Sequence, residues 1–478
     1  MVVLAKPLLT CLYKHMKFCV IILAAGQGKR LKSAIPKPLH HLCGRPLLGW
    51  VTGAAHRAGA TSTLIVTAAD NAPFAPHIPP DAAVFTQDPP QGTGHAVACC
   101  LDALTELDPD HPVIILYADT PLIQSRTIAK LAKEVARQTD ICSLAFTTDN
   151  PAGYGRMITD GPHLKAIIEE RDASPEEREI TFVNGGVMAA RAKILCQLLP
   201  RLEKANAQGE CYLTDLIMLA NQQGIKTGYL EVDASEVAGV NDRQQLAELE
   251  AMMQTRLRER AMQEGVSLVD PLTVYLSADT QFGHDVVIEP HVVIGPNCSI
   301  GDRCCIKSFS HIEGAVIEAG CIIGPHARLR PGTILEQGVK IGNFVETKNA
   351  HFEAGAKANH LSYLGDVYIG TQANIGAGTI TCNYDGFNKS RTEIGAHAFI
   401  GSNSALVAPV QIEDYALIGA GSVITEKVEA HALGLSRAEQ KTYPMAAKRF
   451  RARAQKVKDK KVKDQKEKDQ KEKDRQKT

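Results

Sequence analysis

The sequence predicts two folds in series: an α/β domain on a largely parallel sheet, then a parallel β-helix of six-residue repeats. Three observations carry this expectation. From Phe18 to about Asn241, strand-like apolar runs alternate with helix-like stretches, the pattern of a parallel sheet covered by helices. After Pro271 aliphatic residues recur every six positions, a period that neither a helix nor a simple amphipathic strand has. Between the two regimes, Leu246, Leu249, Met253 and Leu257 fall at helical spacing among charges, which fits one amphipathic linker helix.

Taken in order, residues 1–15 form an N-terminal extension whose apolar stretch is short and broken by Lys6-Pro7, so it does not read as a signal peptide. Met16 directly precedes the first strand-like run and is a candidate start. The α/β domain spans 16–241, with strands expected at Phe18–Leu23, Thr63–Thr67, Val113–Tyr117 and Ile141–Phe146, and a helix at Ser125–Gln138. The linker helix covers 242–264 and the β-helix 265–442. Within the latter, Ile288, Ile294, Ile300, Ile306 and Ile312 keep step, as do Ile317, Ile323, Leu329, Leu335 and Ile341, and then Ile394, Ile400, Leu406, Ile412, Ile418 and Ile424. Glycine often follows, as in Ile300-Gly301 and Ile341-Gly342, where it is expected to let the chain turn a corner. The longer spacings from Ile341 to Ile369 and from Ile375 to Ile394 are expected to mark loops leaving the coil, where binding chemistry sits. Residues 443–478 are a basic low-complexity tail that repeats Lys-Asp-Gln-Lys-Glu and is expected to be disordered.

Composition narrows the function class. The 478 residues are 44% hydrophobic and 22% charged, an ordinary globular balance, and no apolar run approaches the ~20 residues a membrane span needs. The zero net charge hides an asymmetry: the stretch from Lys448 to Thr478 carries 15 basic and 6 acidic residues, so the rest of the chain is net −9. A mildly acidic body argues against nucleic acid as a partner. The 13 cysteines contain no C-x-x-C pair and read as reduced thiols of a cytoplasmic protein.

The first strand leads into Leu23-Ala24-Ala25-Gly26-Gln27-Gly28-Lys29-Arg30-Leu31 and then Pro36-Lys37-Pro38-Leu39. Small residues let backbone N–H groups approach phosphates, and Arg30 and Lys37 add positive charge suited to a triphosphate. No G-K-[ST] follows, so this is not a Walker loop. On these residues the chain resembles the sugar-1-phosphate nucleotidylyltransferases. With the hexapeptide repeats it resembles the bacterial family of bifunctional N-acetylglucosamine-1-phosphate uridylyltransferases and glucosamine-1-phosphate N-acetyltransferases, over about Lys17 to Thr442.

The resemblance implies a Rossmann-like nucleotidyltransferase domain followed by a left-handed parallel β-helix. It implies that Leu23, Ala24 and Gly26 contact the nucleotide and that Arg30 and Lys37 act on its phosphates. Gln87, with Gly92 and Thr93 of Gln91-Gly92-Thr93-Gly94-His95-Ala96, would hold uracil. Tyr117 and Asp119 of Tyr117-Ala118-Asp119-Thr120-Pro121-Leu122 would line the site, with Asp119 and Asn241 as ligands of one or two Mg²⁺ ions. Gly155, Glu169 and Asn184 would surround an acetamido sugar. No side-chain nucleophile is needed, because the sugar phosphate itself attacks UTP. In this half three residues depart from the family pattern: Lys29 replaces Thr, Gly185 stands in an expected Asn-Thr-Gly, and Ala118 replaces Gly, placing a methyl group near the ribose.

The interrupted part of the repeats is dense in polar and cationic residues: Arg328-Leu329-Arg330, Asn343-Phe344-Val345-Glu346-Thr347-Lys348, Asn359-His360-Leu361-Ser362-Tyr363 and Asn374. A lone histidine is more often structural, but His360 sits among Arg330, Lys348, Tyr363 and Asn374. The resemblance implies that Arg330 and Lys348 bind a sugar phosphate and that Tyr363, Asn374 and Lys389 surround the amino sugar. His360 would be the general base for attack of the amine on acetyl-CoA; histidine, with an ordinary pKa of ~6.5, suits that task. Ala377, Asn383, Tyr384, Ser402, Ala420 and Arg437 fall where the family binds acetyl-CoA. Asn359 replaces the usual Gly before the histidine. Cys382 lies near, yet direct transfer is expected rather than an acyl-cysteine. The family is homotrimeric, with substrates glucosamine 1-phosphate, N-acetylglucosamine 1-phosphate, UTP and acetyl-CoA, and its product feeds peptidoglycan and lipid A synthesis. The alternative is a β-helix serving only as a regulatory or assembly module. That reading needs no ordered set of cationic, His and Asn residues in the coil breaks.

Overall fold

The computed structural model describes residues 17–475 apart from Gln27; the extension at residues 1–15 and Met16 lie outside them. Seven strands, β1 (Cys19–Leu23), β2 (Ser62–Ala68), β3 (Ala83–Gln87), β4 (Pro112–Tyr117), β5 (Ile141–Thr147), β6 (Phe182–Arg191) and β7 (Thr227–Glu231), lie in the order β7-β5-β6-β4-β1-β2-β3. All pairs are parallel except those of β6. Every residue of β1 is buried, as a strand covered on both faces requires, which is why it reads as an unbroken apolar run. Helices α1 (Leu47–Ala58) and α2 (Ser125–Arg137) cover one side, burying Val51, Ile128 and Leu131 with Val20 and Ile22 in one core. The chain runs from β1 outward to β2 and β3 and then returns to β4 on the other side of β1. This reversal opens a crevice at the carboxyl ends of β1 and β4, the place where open α/β sheets bind ligands.

Helix α3 (Arg243–Gln263) falls within the span expected of the linker, capped by Asp242, whose carboxylate accepts the Gln245 N–H at 2.9 Å. It does more than link. Leu249 and Met253 share a core with Leu31, Leu42 and Trp50 of the first domain. Gln254 bonds both backbone groups of Leu276 in the first coil of the β-helix, each at 2.9 Å, and so acts as a piece of strand.

From residue 267 onward short parallel strands stack coil on coil into three faces around one continuous apolar core, with Ile288, Ile306, Ile323 and Ile341 in a single column. Two expectations need correction. The glycines that follow the aliphatic residues do not turn the corners, for among them only Gly324 has positive φ. They admit the neighbouring coil: a Cβ on Gly301 would lie 2.9 Å from Ala319 N, and on Gly401 2.4 Å from Ala420 N. The corners are instead left-handed residues such as His291, Asn297, Phe309 and His326. Nor does a loop leave the coil between Ile341 and Ile369. There Glu346–Phe352 and Tyr363–Ile369 are long strands that cross from one face to the next. Ala358 occupies the core position between Ile341 and Ile375, and a residue too small to count as an aliphatic repeat hid the period. The second break is a true excursion, between Ile380–Cys382 and Thr392–Ile394.

The tail also differs from expectation. Ala446–Arg475 form helix α4, with every side chain from Ala447 to Lys468 exposed. After Pro444 no Gly or Pro interrupts a run in which Lys, Arg, Gln and Ala predominate. Such residues favour helix even without an apolar face, and Gln455 adds a bond to Asp459 at 2.8 Å, one turn on. The low apolar content that suggested disorder removes packing, not helix propensity.

Candidate functional site

At the carboxyl ends of β1 and β4 lies a cavity of about 330 Å³. It is lined by Leu23, Gly26, Lys37, Gln87, Gly92, Thr93, Tyr117 and Asp119, all expected there, and by Ala118 and Glu210. Glu210 comes from a second loop, whose Cys211 pairs with the segment Gln91–Gly94: Cys211 N–H donates to Gln91 O and Gly94 N–H to Cys211 O, both at 2.8 Å. Gly92 is obligatory, because its φ is +102° and a Cβ would stand 2.5 Å from Cys211 O. Gln87 is buried and donates through Nε2 to Gly92 O at 2.9 Å. Ala24 lies under the site, with its side chain in the core and its N–H donated to Val66 O at 2.8 Å. The methyl of Ala118 is likewise 1% exposed and packs in that core, so the departure from Gly is absorbed below the cavity floor.

Asp119 and Asn241, separated by more than a hundred residues, are joined by the backbone: Val240 N–H donates to Asp119 O at 3.0 Å. Their side-chain oxygens converge on one ammonium. Lys37 Nζ pairs with Asp119 Oδ2 and donates to Asn241 Oδ1 at 3.1 Å, and Arg30 reaches the same Oδ1 at 3.0 Å. Asn241 is held from behind, its N–H donating to Gln245 Oε1 at 2.7 Å. The side chain of Lys29 lies outside the described residues.

Gly155, Glu169 and Asn184 are brought together beside this cavity. Asn184 N–H donates to Gly155 O at 2.8 Å, and a Cβ on Gly155 would lie 3.5 Å from the Glu169 carboxyl. Burial raises the Glu169 pKa, helped by the charges of Asp215 and Asp172 and opposed by the hydroxyl of Thr214, which donates to it at 2.9 Å. Burial also raises the Tyr117 phenol, with the Glu169 charge second. Gly185 is tightly enclosed: a Cβ there would meet Val237 at 3.1 Å and Leu144 O at 3.3 Å.

The second site runs along one edge of the β-helix. Its corners are the left-handed residues Phe344, Leu361, Gly378, Asn403 and Gly421, one per coil. From Leu361 onward each corner N–H donates to the residue before the corner on the preceding coil: Leu361 to Asn343 O, Gly378 to His360 O, Asn403 to Ala377 O and Gly421 to Ser402 O. Thus Asn343, His360, Ala377, Ser402 and Ala420 form one vertical column, at the ~4.8 Å spacing of neighbouring strands. Arg437 closes its end by donating to Ala420 O at 2.9 Å. His360 Nδ1 lies 2.6 Å from Asn343 Oδ1.

Around the corner from His360, Arg330 pairs with Glu346 at 2.9 Å. Glu346 stands opposite Tyr363 in the ladder. Tyr363 has room because Gly365 has no side chain: a Cβ there would be 2.5 Å from the Tyr363 hydroxyl. Lys348 and Lys389 lie side by side, and Lys389 lowers the Lys348 pKa. Asp366 faces them; burial opposes its ionisation, but hydrogen bonds from Asn349 and Asn383 and the two lysine charges bring its pKa below the ordinary value. Asn374 stands on the adjoining face, between Lys357 and Phe399. Tyr384 is on the excursion, exposed, its hydroxyl donating to Gly386 O at 2.6 Å. Sequence reasoning assigned no role to Asn343, Glu346 or Asp366. Counting one 17-residue coil back from His360 and from Tyr363 would have found the first two.

Comparison with known proteins agrees with both halves. Residues 20–182 match the MobA-like NTP transferase domain, and residues 279–314 and 391–426 match the bacterial transferase hexapeptide family of six repeats. A bifunctional protein GlmU of Azorhizobium caulinodans is 51% identical over 88% of this chain and 94% of its own length. Those of Zymomonas mobilis and Xanthobacter autotrophicus are 47% and 51% identical over 92% of this chain, covering 99% and 98% of their own lengths. The chain therefore belongs to the GlmU family of bifunctional enzymes, which join a uridylyltransferase to an acetyltransferase.

Proposed function

We propose that the chain acetylates glucosamine 1-phosphate with acetyl-CoA and then transfers UMP from UTP to the N-acetylglucosamine 1-phosphate so formed, releasing pyrophosphate. The observation that carries this reading is the convergence of Lys37 Nζ, Asp119 and Asn241 at the mouth of the nucleotide cavity, matched at the other end of the chain by the column through His360.

In the acetyl transfer, Arg330, Lys348 and Lys389 hold the sugar phosphate, with Tyr363 and Asn374 placing the amino sugar. His360 takes a proton from the amine as its nitrogen attacks the thioester carbonyl, and the C–S bond breaks to release CoA. Ala377, Ser402 and Ala420 supply the edge along which acetyl-CoA lies, with Asn383, Tyr384 and Arg437 beside it. In the uridylyl transfer, Gln87, Gly92 and Thr93 hold the base, and Leu23 and Gly26 leave room for the nucleotide. Gly155, Glu169 and Asn184 place the sugar. A phosphate oxygen of the sugar attacks the α-phosphorus in line, the bond to the bridging oxygen breaks, and Arg30 and Lys37 balance the charge.

Asp119 and Asn241 fit Mg²⁺: two oxygen donors already share one cation, the Lys37 ammonium, and magnesium takes few protein ligands beside substrate phosphates. When bound there it would neutralise phosphate charge. The homotrimer reading is supported by the bare excursion tip, where Phe387 is 92% exposed and Tyr384 59%, as a site shared between chains requires. All 12 cysteines among the described residues are free thiols, in keeping with the cytoplasm, and no described helix is long and apolar enough to cross a membrane. The test is a two-stage assay on purified protein given glucosamine 1-phosphate, acetyl-CoA, UTP and Mg²⁺, following CoA and pyrophosphate. Pyrophosphate release that does not depend on acetyl-CoA would overturn the proposed order, and absence of either product would remove that half of the reading.

A further inference from the structure

We propose that Asn343 is the positioning residue of the acetyl-transfer site, fixing which nitrogen of His360 is free to take the substrate proton. This inference rests on the reading of His360 as the base. Asn343 and His360 are directly paired in adjacent coils, so their relation is set by the backbone register and not by a chance rotamer. The coils meet this closely because residue 342 is glycine; a Cβ on Gly342 would lie 1.9 Å from the carbonyl oxygen of Asn359. The His360 backbone is held from the opposite side, where its carbonyl accepts the Ser362 hydroxyl at 2.9 Å and the Gly378 N–H at 3.4 Å. With the main chain fixed on both sides, the remaining freedom is ring orientation and tautomer.

Asn343 Oδ1, 2.6 Å from Nδ1, settles both. An amide oxygen can only accept, so Nδ1 carries the hydrogen. In the neutral ring Nε2 is then the basic atom, held pointing away from Asn343. A neutral partner orients the ring without adding a charge that would hold it protonated. Without Asn343 the ring is free to rotate and to populate the tautomer with the hydrogen on Nε2, which cannot accept a proton there. The next pre-corner residue of the column, Ala377, carries no side-chain acceptor.

The experiment compares Asn343→Leu and Asn343→Asp in the full-length enzyme, reading CoA release and, as a control for folding, pyrophosphate release from supplied N-acetylglucosamine 1-phosphate. Leucine matches the size of Asn but accepts nothing, whereas Asp accepts the same bond. Asn343→Leu is expected to lower kcat for acetyl transfer by about 10- to 100-fold, the usual loss when the partner that orients a histidine is removed, with KM little changed. Asn343→Asp should recover most of that loss in mildly alkaline buffer, where its added charge no longer keeps the ring protonated. Asn343→Ala replaces the leucine variant if the latter fails to fold. A non-accepting variant with the original kcat, or an Asp variant as impaired as leucine in that alkaline buffer, overturns the positioning role. His360→Ala is run beside them: if it still releases CoA at the original rate, the base assignment itself falls, a failure distinct from that of Asn343.

Discussion

Single side chains carry the separation of the two chemistries. Asp119 ends the strand beside the nucleotide cavity, and among the described residues its pairing is with Lys37 and Val240, both in the first domain. Asp119→Ala should therefore abolish pyrophosphate release and leave CoA release nearly intact; loss of both in a folded variant would contradict independent sites. Glu169 makes a different prediction. Its pKa is raised by burial first and by Asp215 and Asp172 next, so its charged form is less stable in the folded protein than in the unfolded chain. The sign follows: a carboxyl raised above its unfolded value destabilises the fold above the raised pKa and relieves that cost as pH falls through it. Glu169→Gln should raise the Tm of the first domain in mildly alkaline buffer, and the advantage should shrink as pH falls toward the ordinary carboxylate range, while sugar affinity falls. A Tm difference that stays constant with pH would show that the charge is not the cause.

At the scale of elements, backbone approach decides more than side-chain identity. The glycines after the aliphatic repeats admit the neighbouring coil, and Gly342 is the tightest of them. Gly342→Ala forces backbone against backbone, which no rotamer change relieves, and overpacking of this kind costs about 1–3 kcal/mol. It should lower the melting transition of the β-helix and remove CoA release, with pyrophosphate release kept; calorimetry with two resolved transitions would show which unit is affected. The same element explains what was legible in the sequence. The strands at Cys19–Leu23 and Pro112–Tyr117 were readable as unbroken apolar runs, and helix α3 by its apolar period. The coil through Ala358 was not, because an alanine fills the core without announcing a repeat, and so a long strand was read as a loop. Most candidate residues of the nucleotide cavity were named by motif. Asn343 and Glu346 were passed over because their partners lie one coil away, a distance that appears only once the register is known.

The whole molecule pairs an acidic body with a basic helix whose side chains are exposed from Ala447 to Lys468. Residues Lys448 to Thr478 carry a net charge of +9 against −9 for the rest, and helix α4 leaves Phe450, Val457 and Val462 at 74%, 53% and 49% exposed. A helix that buries no side chain between Ala447 and Lys468 adds no packing energy to either domain there, and its charges are screened over about 8 Å at physiological salt. The last contact with the acetyl-transfer edge, Arg437 to Ala420 O, precedes the helix. Cutting after Val457 keeps that contact and the first turns of the helix while removing the repeated Lys-Asp-Gln-Lys-Glu run. Both reactions should then proceed at the rates of the intact chain, measured as CoA and pyrophosphate release at moderate salt. A truncated protein that loses CoA release while keeping its oligomeric state would place the tail in the acetyl-transfer site, because neither packing nor long-range charge could then account for the loss.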